Sequence, residues 1–241
     1  MATLAQGAPA LDPAHARWTR LLRERVSAGA VDYRALKEAP SELDAYLREL
    51  ATVDRDQYDE WTEAQQMAFL INLYNASTVK LIVDHYPVAS IKKIGGWLGS
   101  PFRQKAVDLW GERVTLEEVE HGWLRRRFAE PRIHFALVCG ARGCPPLRSE
   151  AYVADRLEAQ LNDQGRIFLG DAAKNRVDVP ARTLWLSPIF KWFAEDFTAE
   201  RKTLPEFVQP FLPEPARAVS ADALNGFRIR YTDYDWSLNE R

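Results

Sequence analysis

The sequence predicts an α+β fold, a helix-rich single domain with a small antiparallel sheet. Two observations favour this class. Stretches of apolar residues at helical spacing fill the first third of the chain, and the short paired runs typical of hairpins come only later. With 241 residues, 46% of them hydrophobic, the chain is large enough to bury a core without a framework of disulfides. No internal repeat, linker or low-complexity segment divides it.

Three helices are predicted in the first third of the chain. Apolar residues recur at helical spacing over residues 12–26 and again over residues 41–50. The third helix begins after Thr62, because Gln65 three residues later completes the spacing of a capping box, and its apolar run continues to near His85. We expect this third helix to be the central buried helix of the fold.

Polar side chains interrupt the apolar run of the third helix. Asn72 falls among apolar positions on a helical wheel, so its amide must find hydrogen-bond partners or destabilise the fold by about 1–3 kcal/mol. We therefore expect Asn72, Tyr74 and Asn75 to reach into loops or into a substrate-binding site. The alternative is that they bond the backbone of a neighbouring segment, since most side-chain hydrogen bonds go to backbone or water.

Shorter elements are predicted downstream. Turn residues between short apolar runs indicate two hairpins, and Glu118, three residues after Thr115, indicates a second capping box. In chain order, the predicted elements are a hairpin over residues 106–115, a helix after Thr115, a buried strand over 133–139, a helix from Ser149, a hairpin over 177–186, a short aromatic helix over 187–197 and an edge strand over 227–239. The aromatic helix either packs on the core or walls a substrate cleft.

The helix after Thr115 carries charged residues on its apolar stripe. Glu120 and Arg127 are seven residues apart and project the same way from an α-helix. A carboxylate that faces a core is rarely unpaired, so Glu120 either pairs with Arg127 or orients, or exchanges a proton with, a site group. His121 projects to the other flank, one turn beyond Glu117, where a carboxylate would fix its tautomer.

His134, Cys139 and Cys144 lie close together in the sequence and predict a thiol site. The two cysteines are the only ones in the chain. Cys139 falls in the middle of an apolar strand and is predicted to be core. Cys144 has glycines and prolines around it, which indicates an exposed, rigid turn. It also lies between Arg142 and Arg148 and ahead of a predicted helix, surroundings that lower the pKa of a thiol.

The first hypothesis is therefore a cysteine-dependent hydrolase or acyl transferase with Cys144 as the nucleophile. The base is His134 or His121, and Glu120 or Asn72 is the third member of the catalytic group. Such an enzyme needs no cofactor and acts on an amide, ester or thioester. The substrate is a small molecule or a peptide.

Three alternatives use the same residues differently. His121, His134, Cys139 and Cys144 are metal-ligand types, but zinc sites normally use shorter cysteine spacings than this one. A disulfide between Cys139 and Cys144 would lock the loop or take part in redox exchange. In a binding or scaffold domain Cys144 would only pack.

Charge and hydropathy exclude some partners and compartments. The net charge is −2 with Lys and Arg spread along the chain, so nucleic acid is not expected as a partner. The longest apolar run contains Asn72, Asn75 and Lys80 and is too polar to span a bilayer, so we expect a soluble protein. No signal segment precedes the first helix, which indicates either a cytoplasmic protein or a periplasmic or secreted one that has lost its signal.

Six motifs in order resemble the family of domains of unknown function numbered 547. They are AFLINLYNA, YPVASIK, TLEEVEHGWLR, PRIHFALVCGARGCPPL, LSPIFKWFAEDF and DYDWSLN. The resemblance implies a family domain over residues 31–241 after an N-terminal helical segment over residues 1–30. It also implies an uncharacterised function, frequent export from bacteria, and a distant similarity to papain-like cysteine hydrolases or transglutaminase-like folds. The family pattern maps here onto Asn72, Tyr74, Asn75, Glu120, His121, His134, Cys144, Phe190, Trp192 and Asp196. Arg142 is a local variation near the thiol, and we expect it to bind substrate together with Asn72, Tyr74 and Asn75.

Overall fold

Helices dominate the computed structural model, which describes residues 11–95, 99–199 and 202–241. The α-helices in those residues are α1 (Ala16–Arg25), α2 (Tyr33–Glu38), α3 (Ser41–Ala51), α4 (Arg55–Asp59), α5 (Glu63–His85), α6 (Arg125–Arg127), α7 (Ile133–Ala136), α8 (Leu157–Gly170), α9 (Ile189–Trp192), α10 (Ala194–Phe197), α11 (Leu204–Val208) and α12 (Ala221–Asn225). A π-helix (Glu118–Leu124) runs into α6. Short 3-10 turns are Ile91–Lys93, Pro101–Arg103, Ala154–Arg156, Gln209–Phe211 and Ala216–Ala218.

Seven short strands form three small sheets in the described residues. The strands are β1 (Val26–Ser27), β2 (Ala30–Val31), β3 (Lys105–Leu109), β4 (Glu112–Thr115), β5 (Arg176–Asp178), β6 (Thr183–Leu186) and β7 (Arg228–Tyr231). β1 with β2, β3 with β4, and β5 with β6 are antiparallel pairs, and β7 adds to β6 in parallel. The predicted α+β class and both predicted hairpins are confirmed, whereas the edge strand predicted over residues 227–239 is limited to Arg228–Tyr231.

The central helix α5 organises the core. Its start matches the predicted capping box, since the Thr62 Oγ1 accepts from the Gln65 N–H and the Gln65 Oε1 accepts from the Thr62 N–H. From Gln66 to Val83 every side chain except Lys80 is buried. A helix that is surrounded on all sides must have its polar groups satisfied by the elements packed against it.

Of the N-terminal helical segment predicted over residues 1–30, residues 1–10 lie outside the described residues.

The predicted buried strand over residues 133–139 is wrong. The structure has the short helix α7 there, followed by extended backbone. A short apolar run has no periodicity that separates a strand from a buried helix. Instead of a strand partner, the Asn75 side chain bonds this backbone, accepting from Val138 N and donating to the Ala136 carbonyl, each at 3.0 Å.

The helix predicted to begin at Ser149 begins later in the structure. Helical structure begins with the 3-10 turn at Ala154, and α8 follows from Leu157. The intervening backbone is held instead by Asn72, which donates to the Tyr152 carbonyl at 2.7 Å and accepts from the Tyr152 N–H at 3.0 Å. The helix predicted to follow Cys144 closely therefore begins too far along the chain for the sequence argument that its N-terminus lowers the pKa of this thiol.

The π-helix changes which side chains share a face. A π-turn is wider than an α-turn, so residues seven apart no longer project the same way. Arg127 consequently donates to the Gln66 Oε1 at 3.1 Å, and Glu120 accepts from the Tyr74 hydroxyl. The predicted pairing of Glu120 with Arg127 is therefore wrong, while the capping box of Thr115 and Glu118 is confirmed.

Two apolar clusters meet at α7. The larger one surrounds α5 and includes Ile133 and Ala136, whereas Phe135 belongs to an aromatic cluster that α8, β6 and α9 to α11 share. His134 lies between them and is 4% exposed. Within the described ranges, no helix combines the length and apolar character needed to cross a membrane.

The C-terminal segment, which we define as residues 234–238, packs along the loop that carries Cys144. The Arg142 N–H donates to the Ser237 carbonyl and the Gly143 N–H to the Asp235 carbonyl, each at 2.8 Å. A Cβ atom at Gly143 would lie 3.0 Å from the Tyr234 ring and from the Asp235 nitrogen, so glycine permits this close approach. The contact brings Tyr234 to the cysteines.

Candidate functional site

A cavity of about 310 Å³ collects most of the predicted site residues. It opens between α5, the π-helix, the junction of α9 and α10, and the C-terminal segment. Its polar and sulfur-bearing lining includes Tyr74, Glu120, His121, His134, Cys139 and Cys144, and its aromatic lining includes Phe102, Trp192, Phe193, Tyr234 and Trp236. The structure therefore brings together the residues that the sequence predicts to be catalytic. Trp192 and Phe193 of the predicted aromatic helix line the cavity, whereas Phe190 and Phe197 are buried in the core.

The two cysteines form a disulfide within this cavity. The bond joins Cys139 to Cys144 across a Cα–Cα distance of 6.2 Å. Of the alternatives that the sequence left open for these cysteines, the structure therefore contains the disulfide. The predicted burial is reversed, because Cys144 is 5% exposed and Cys139 is only partly buried. The reason is the C-terminal segment, which packs on the Cys144 loop and which no local sequence pattern reveals.

Two hydrogen-bond donors face the sulfur of Cys144. The Cys139 N–H donates to its Sγ at 2.9 Å, and the Tyr234 hydroxyl lies 3.2 Å away. The same hydroxyl lies 3.2 Å from the Cys139 Sγ. Burial raises the pKa of Tyr234, and the charge of Glu120 raises it further, so this hydroxyl keeps its proton and can donate.

His134 is held by a carboxylate that carries its full charge. Its Nε2 lies 2.6 Å from the Asp196 Oδ2, and Arg125 binds both oxygens of Asp196 at 2.6 and 2.9 Å. Burial raises the pKa of Asp196, but the hydrogen bonds from His134 and Arg125 outweigh it and hold this pKa well below its usual range. Because Asp196 accepts, Nε2 carries the proton, and Nδ1 of neutral His134 is the nitrogen that can accept one.

The His134 ring is also fixed by packing. It stacks on Phe193 with ring centroids 4.0 Å apart and tilts against Phe197 at 5.2 Å. A buried ring with one nitrogen bonded and two aromatic rings packed against it has little freedom to rotate. The orientation of His134 is therefore set by Asp196, Phe193 and Phe197 together.

His121 is bonded differently from His134. The Arg125 guanidinium donates to its Nδ1 at 3.1 Å, so this nitrogen is already used as an acceptor. The predicted partner Glu117 binds Arg103 instead, at 2.6 Å. Of the two histidines, His134 has the arrangement of a base: one nitrogen is bonded to a carboxylate and the other has no hydrogen-bond partner among the described residues.

Glu120 and Tyr74 form a second polar pair in the cavity. The Tyr74 hydroxyl donates to the Glu120 Oε2 at 3.1 Å. Burial raises the pKa of Tyr74 well above its ordinary value, and Glu120 adds to the rise, so the tyrosine remains a donor. Among the described residues no basic side chain forms an ion pair with Glu120.

Three predicted substrate-binding residues lie outside the cavity. Asn72 and Asn75 are buried and their amides bond backbone groups, as the alternative interpretation of them held. Asn75 bonds the backbone between His134 and Cys139 and so positions both. Arg142 is exposed, and its guanidinium donates to the Leu238 carbonyl at 3.2 Å.

Metal ligation does not fit the residues in this state. The metal alternative needs both cysteines as thiolates, and both sulfurs are in the disulfide. Across the parts of the chain that the structure describes, no three His, Cys, Asp or Glu side chains are grouped so as to hold a metal ion.

Sequence reasoning did not assign three side chains to the candidate site. Asp196 was expected only to cap a helix or to pair with an arginine, and it does pair with Arg125, while Arg125 and Tyr234 were not singled out. Asp196 lies 62 residues from His134, and Tyr234 lies 95 residues from Cys139, so no local spacing reveals either contact. The only signal was that Asp196 and the terminal DYDWSLN belong to the motifs of the family resemblance.

Residues 58–169 match the model of a family described as "Protein of unknown function, DUF547". The resemblance stated from the motifs is therefore confirmed over this region, which contains Tyr74, Glu120, His134 and both cysteines. Asp196 and Tyr234 lie beyond it. No curated protein and no solved structure matches the chain. The papain-like similarity and the division into residues 1–30 and 31–241 stay predictions.

Proposed function

We propose that the chain, once its disulfide is reduced, is a cysteine-dependent hydrolase or acyl transferase. Cys144 is the nucleophile, His134 is the base and Asp196 orients the base. The observation that carries this proposal is the shared cavity, which is lined both by His134, with its nitrogen bonded to Asp196, and by Cys144, with two donors facing its sulfur. A nucleophile beside a base that a third group orients is the general pattern of covalent acyl transfer.

The thiolate is the species that attacks. Reduction yields two thiols, and the Cys144 thiol passes its proton to Nδ1 of His134. The Cys139 N–H and the Tyr234 hydroxyl stabilise the charge left on sulfur, because hydrogen bonds to the charged form lower a pKa. The thiolate then adds to a carbonyl carbon, and the leaving group departs with the proton held on His134. Water or another acceptor finally releases the acyl group from sulfur.

The cavity walls favour a substrate with an apolar part and a hydrogen-bond donor. Trp192, Phe193 and Trp236 supply flat apolar surface. Glu120, which receives one hydroxyl and no ion pair among the described residues, provides an acceptor for a hydroxyl or amine of the substrate. A small molecule or a short peptide segment meets both conditions.

An oxidising compartment suits the disulfide. Disulfides persist outside the cytosol, in the periplasm or in the secreted state, and are rare among reduced cytosolic proteins. We therefore propose a periplasmic or secreted location, in which the acyl chemistry depends on a local source of reducing equivalents.

Trapping the acyl intermediate tests this function without the natural substrate. We define the single-thiol chain as the Cys139→Ser variant, in which Cys144 cannot form the disulfide. Incubation with p-nitrophenyl acetate should acetylate residue 144 of the single-thiol chain and of the reduced wild type, read by peptide mass spectrometry. The oxidised wild type and the Cys144→Ser variant should stay unmodified there, because neither offers a free thiol at that position.

Two results count against the function. One is acetylation of Cys139 rather than Cys144 in the reduced wild type. The other is a Cys144 that becomes acetylated only after urea unfolds the chain, with folding of each variant checked by circular dichroism. Either would mean that the cavity does not activate Cys144.

A further inference from the structure

We propose that the Cys139–Cys144 disulfide is itself reactive, and that the chain exchanges it with an external thiol that attacks Cys139. This activity deepens the proposed function, because it names the reaction that would release Cys144, but its test needs no acyl substrate. It also assigns Cys139 a role of its own.

Access distinguishes the two sulfurs. Cys144 is 5% exposed, whereas Cys139 is only partly buried, and both line the open cavity. Exchange proceeds by attack of a thiolate on one sulfur, so the accessible sulfur is the one that is attacked. The external thiol therefore forms its mixed disulfide with Cys139.

Hydrogen bonding distinguishes them in the same direction. The Cys139 N–H donates to the Cys144 Sγ at 2.9 Å, so it stabilises the thiolate that leaves when Cys139 is attacked. The Tyr234 hydroxyl lies 3.2 Å from each sulfur and serves either leaving thiolate, so the backbone N–H is the donor that distinguishes them. A leaving thiolate that is stabilised leaves faster. The raised pKa of Tyr234 keeps the donor protonated throughout.

The electrons balance over two steps. In the first, the external thiolate forms a bond to the Cys139 sulfur, the Cys139–Cys144 bond breaks, and its electron pair remains on Cys144. In the second, another external thiolate attacks the outer sulfur of the mixed disulfide, so Cys139 leaves with the electron pair and takes up a proton. Two external thiols are oxidised to one external disulfide, and the chain is reduced to the dithiol.

The loop keeps its shape by contacts that do not involve the disulfide. The Arg142 and Gly143 N–H groups donate to the carbonyls of Ser237 and Asp235 at 2.8 Å, and the Cys144 N–H donates to the Ala141 carbonyl at 3.1 Å. The bond spans a sequence separation of 5, so closing this loop removes less entropy from the unfolded chain than closing a long loop would. A bond that the fold needs little, in an open cavity, is suited to opening and closing.

The test compares the two sulfurs one at a time. The Cys144→Ser variant keeps only Cys139, and the single-thiol chain keeps only Cys144. Each is mixed with glutathione disulfide, and mixed-disulfide formation is followed by intact-mass spectrometry. We expect Cys139 to react at least about tenfold faster in the folded chains, because glutathione disulfide is bulky and reaches the partly buried Cys139 more readily than Cys144, which is 5% exposed, even though Cys144 is the better stabilised thiolate. The two rates should converge in urea, where access no longer differs.

The wild type supplies a second readout that needs no variant. Dithiothreitol should open the disulfide of the folded chain at a rate within about tenfold of the rate in urea. The proposal is overturned if the disulfide opens only as fast as the chain unfolds, or if Cys144 forms the mixed disulfide faster than Cys139. Exchange without acetylation of Cys144 would uphold this proposal and remove the acyl function, and acetylation without exchange would do the reverse.

Discussion

Replacing Asp196 by asparagine is expected to slow the acetylation of Cys144 by about 10,000-fold, because the same change in an Asp–His pair of a catalytic triad leaves histidine in the wrong tautomer. Arg125 already donates to both oxygens of Asp196. In the orientation that keeps the bond from the Arg125 Nη2, the amide oxygen takes the place of Oδ1 and the amide N–H takes the place of Oδ2, where it faces Arg125 Nε and donates to His134 Nε2. His134 then holds its proton on Nδ1 and cannot accept the proton of Cys144.

Glu195→Gln is the matched control for this prediction. It removes the same charge one residue away, from an exposed side chain that makes no contact with His134. In the single-thiol chain, the acetylation rate of the Glu195→Gln variant should stay within about twofold of its parent. Equal losses for the two variants would show that net charge matters here and the hydrogen bond to His134 does not.

Replacing Asn75 by alanine is expected to destabilise the fold by about 2–6 kcal/mol. The change leaves the Ala136 carbonyl and the Val138 N–H without their partner, and each buried unpaired group costs about 1–3 kcal/mol. Urea unfolding of the oxidised chain, followed by circular dichroism, measures the loss.

Ser77 provides the comparison for Asn75. It lies on the same helix, is 2% exposed, and its hydroxyl has no hydrogen-bond partner among the described residues. Ser77→Ala should therefore change the free energy of unfolding by less than about 1 kcal/mol. If the two variants lost the same stability, the role of Asn75 in holding the backbone between His134 and Cys139 would be refuted.

Local signals predicted the elements that local interactions decide. Neighbouring residues determine the capping boxes at Thr62 and Thr115 and both later hairpins, so their sequence patterns were sufficient to predict them. The segment around His134 was misread because its backbone partner is a side chain of α5. The π-helix was misread because an α-helical wheel was applied to it, which paired Glu120 with the wrong residue.

The candidate site divides in the same way. His134 and the two cysteines stand within eleven residues of each other in the printed sequence, so their grouping was visible. Tyr234 and Asp196 reach them only through the fold. The burial of Cys144 likewise follows from the C-terminal segment, which packs on its loop. For this reason Cys144, predicted to be exposed, is buried, and Cys139, predicted to be core, is the more exposed of the two.

The pH dependence of Cys144 alkylation by iodoacetamide tests the central claim most directly, because it reports whether His134 and Cys144 share a proton. In the single-thiol chain we expect a midpoint well below the reference thiol pKa of about 8.5. His134→Ala should return the midpoint towards that value, and His121→Ala should leave it low. A midpoint near 8.5 in the parent chain, or one that depends on His121 and not on His134, would contradict the account.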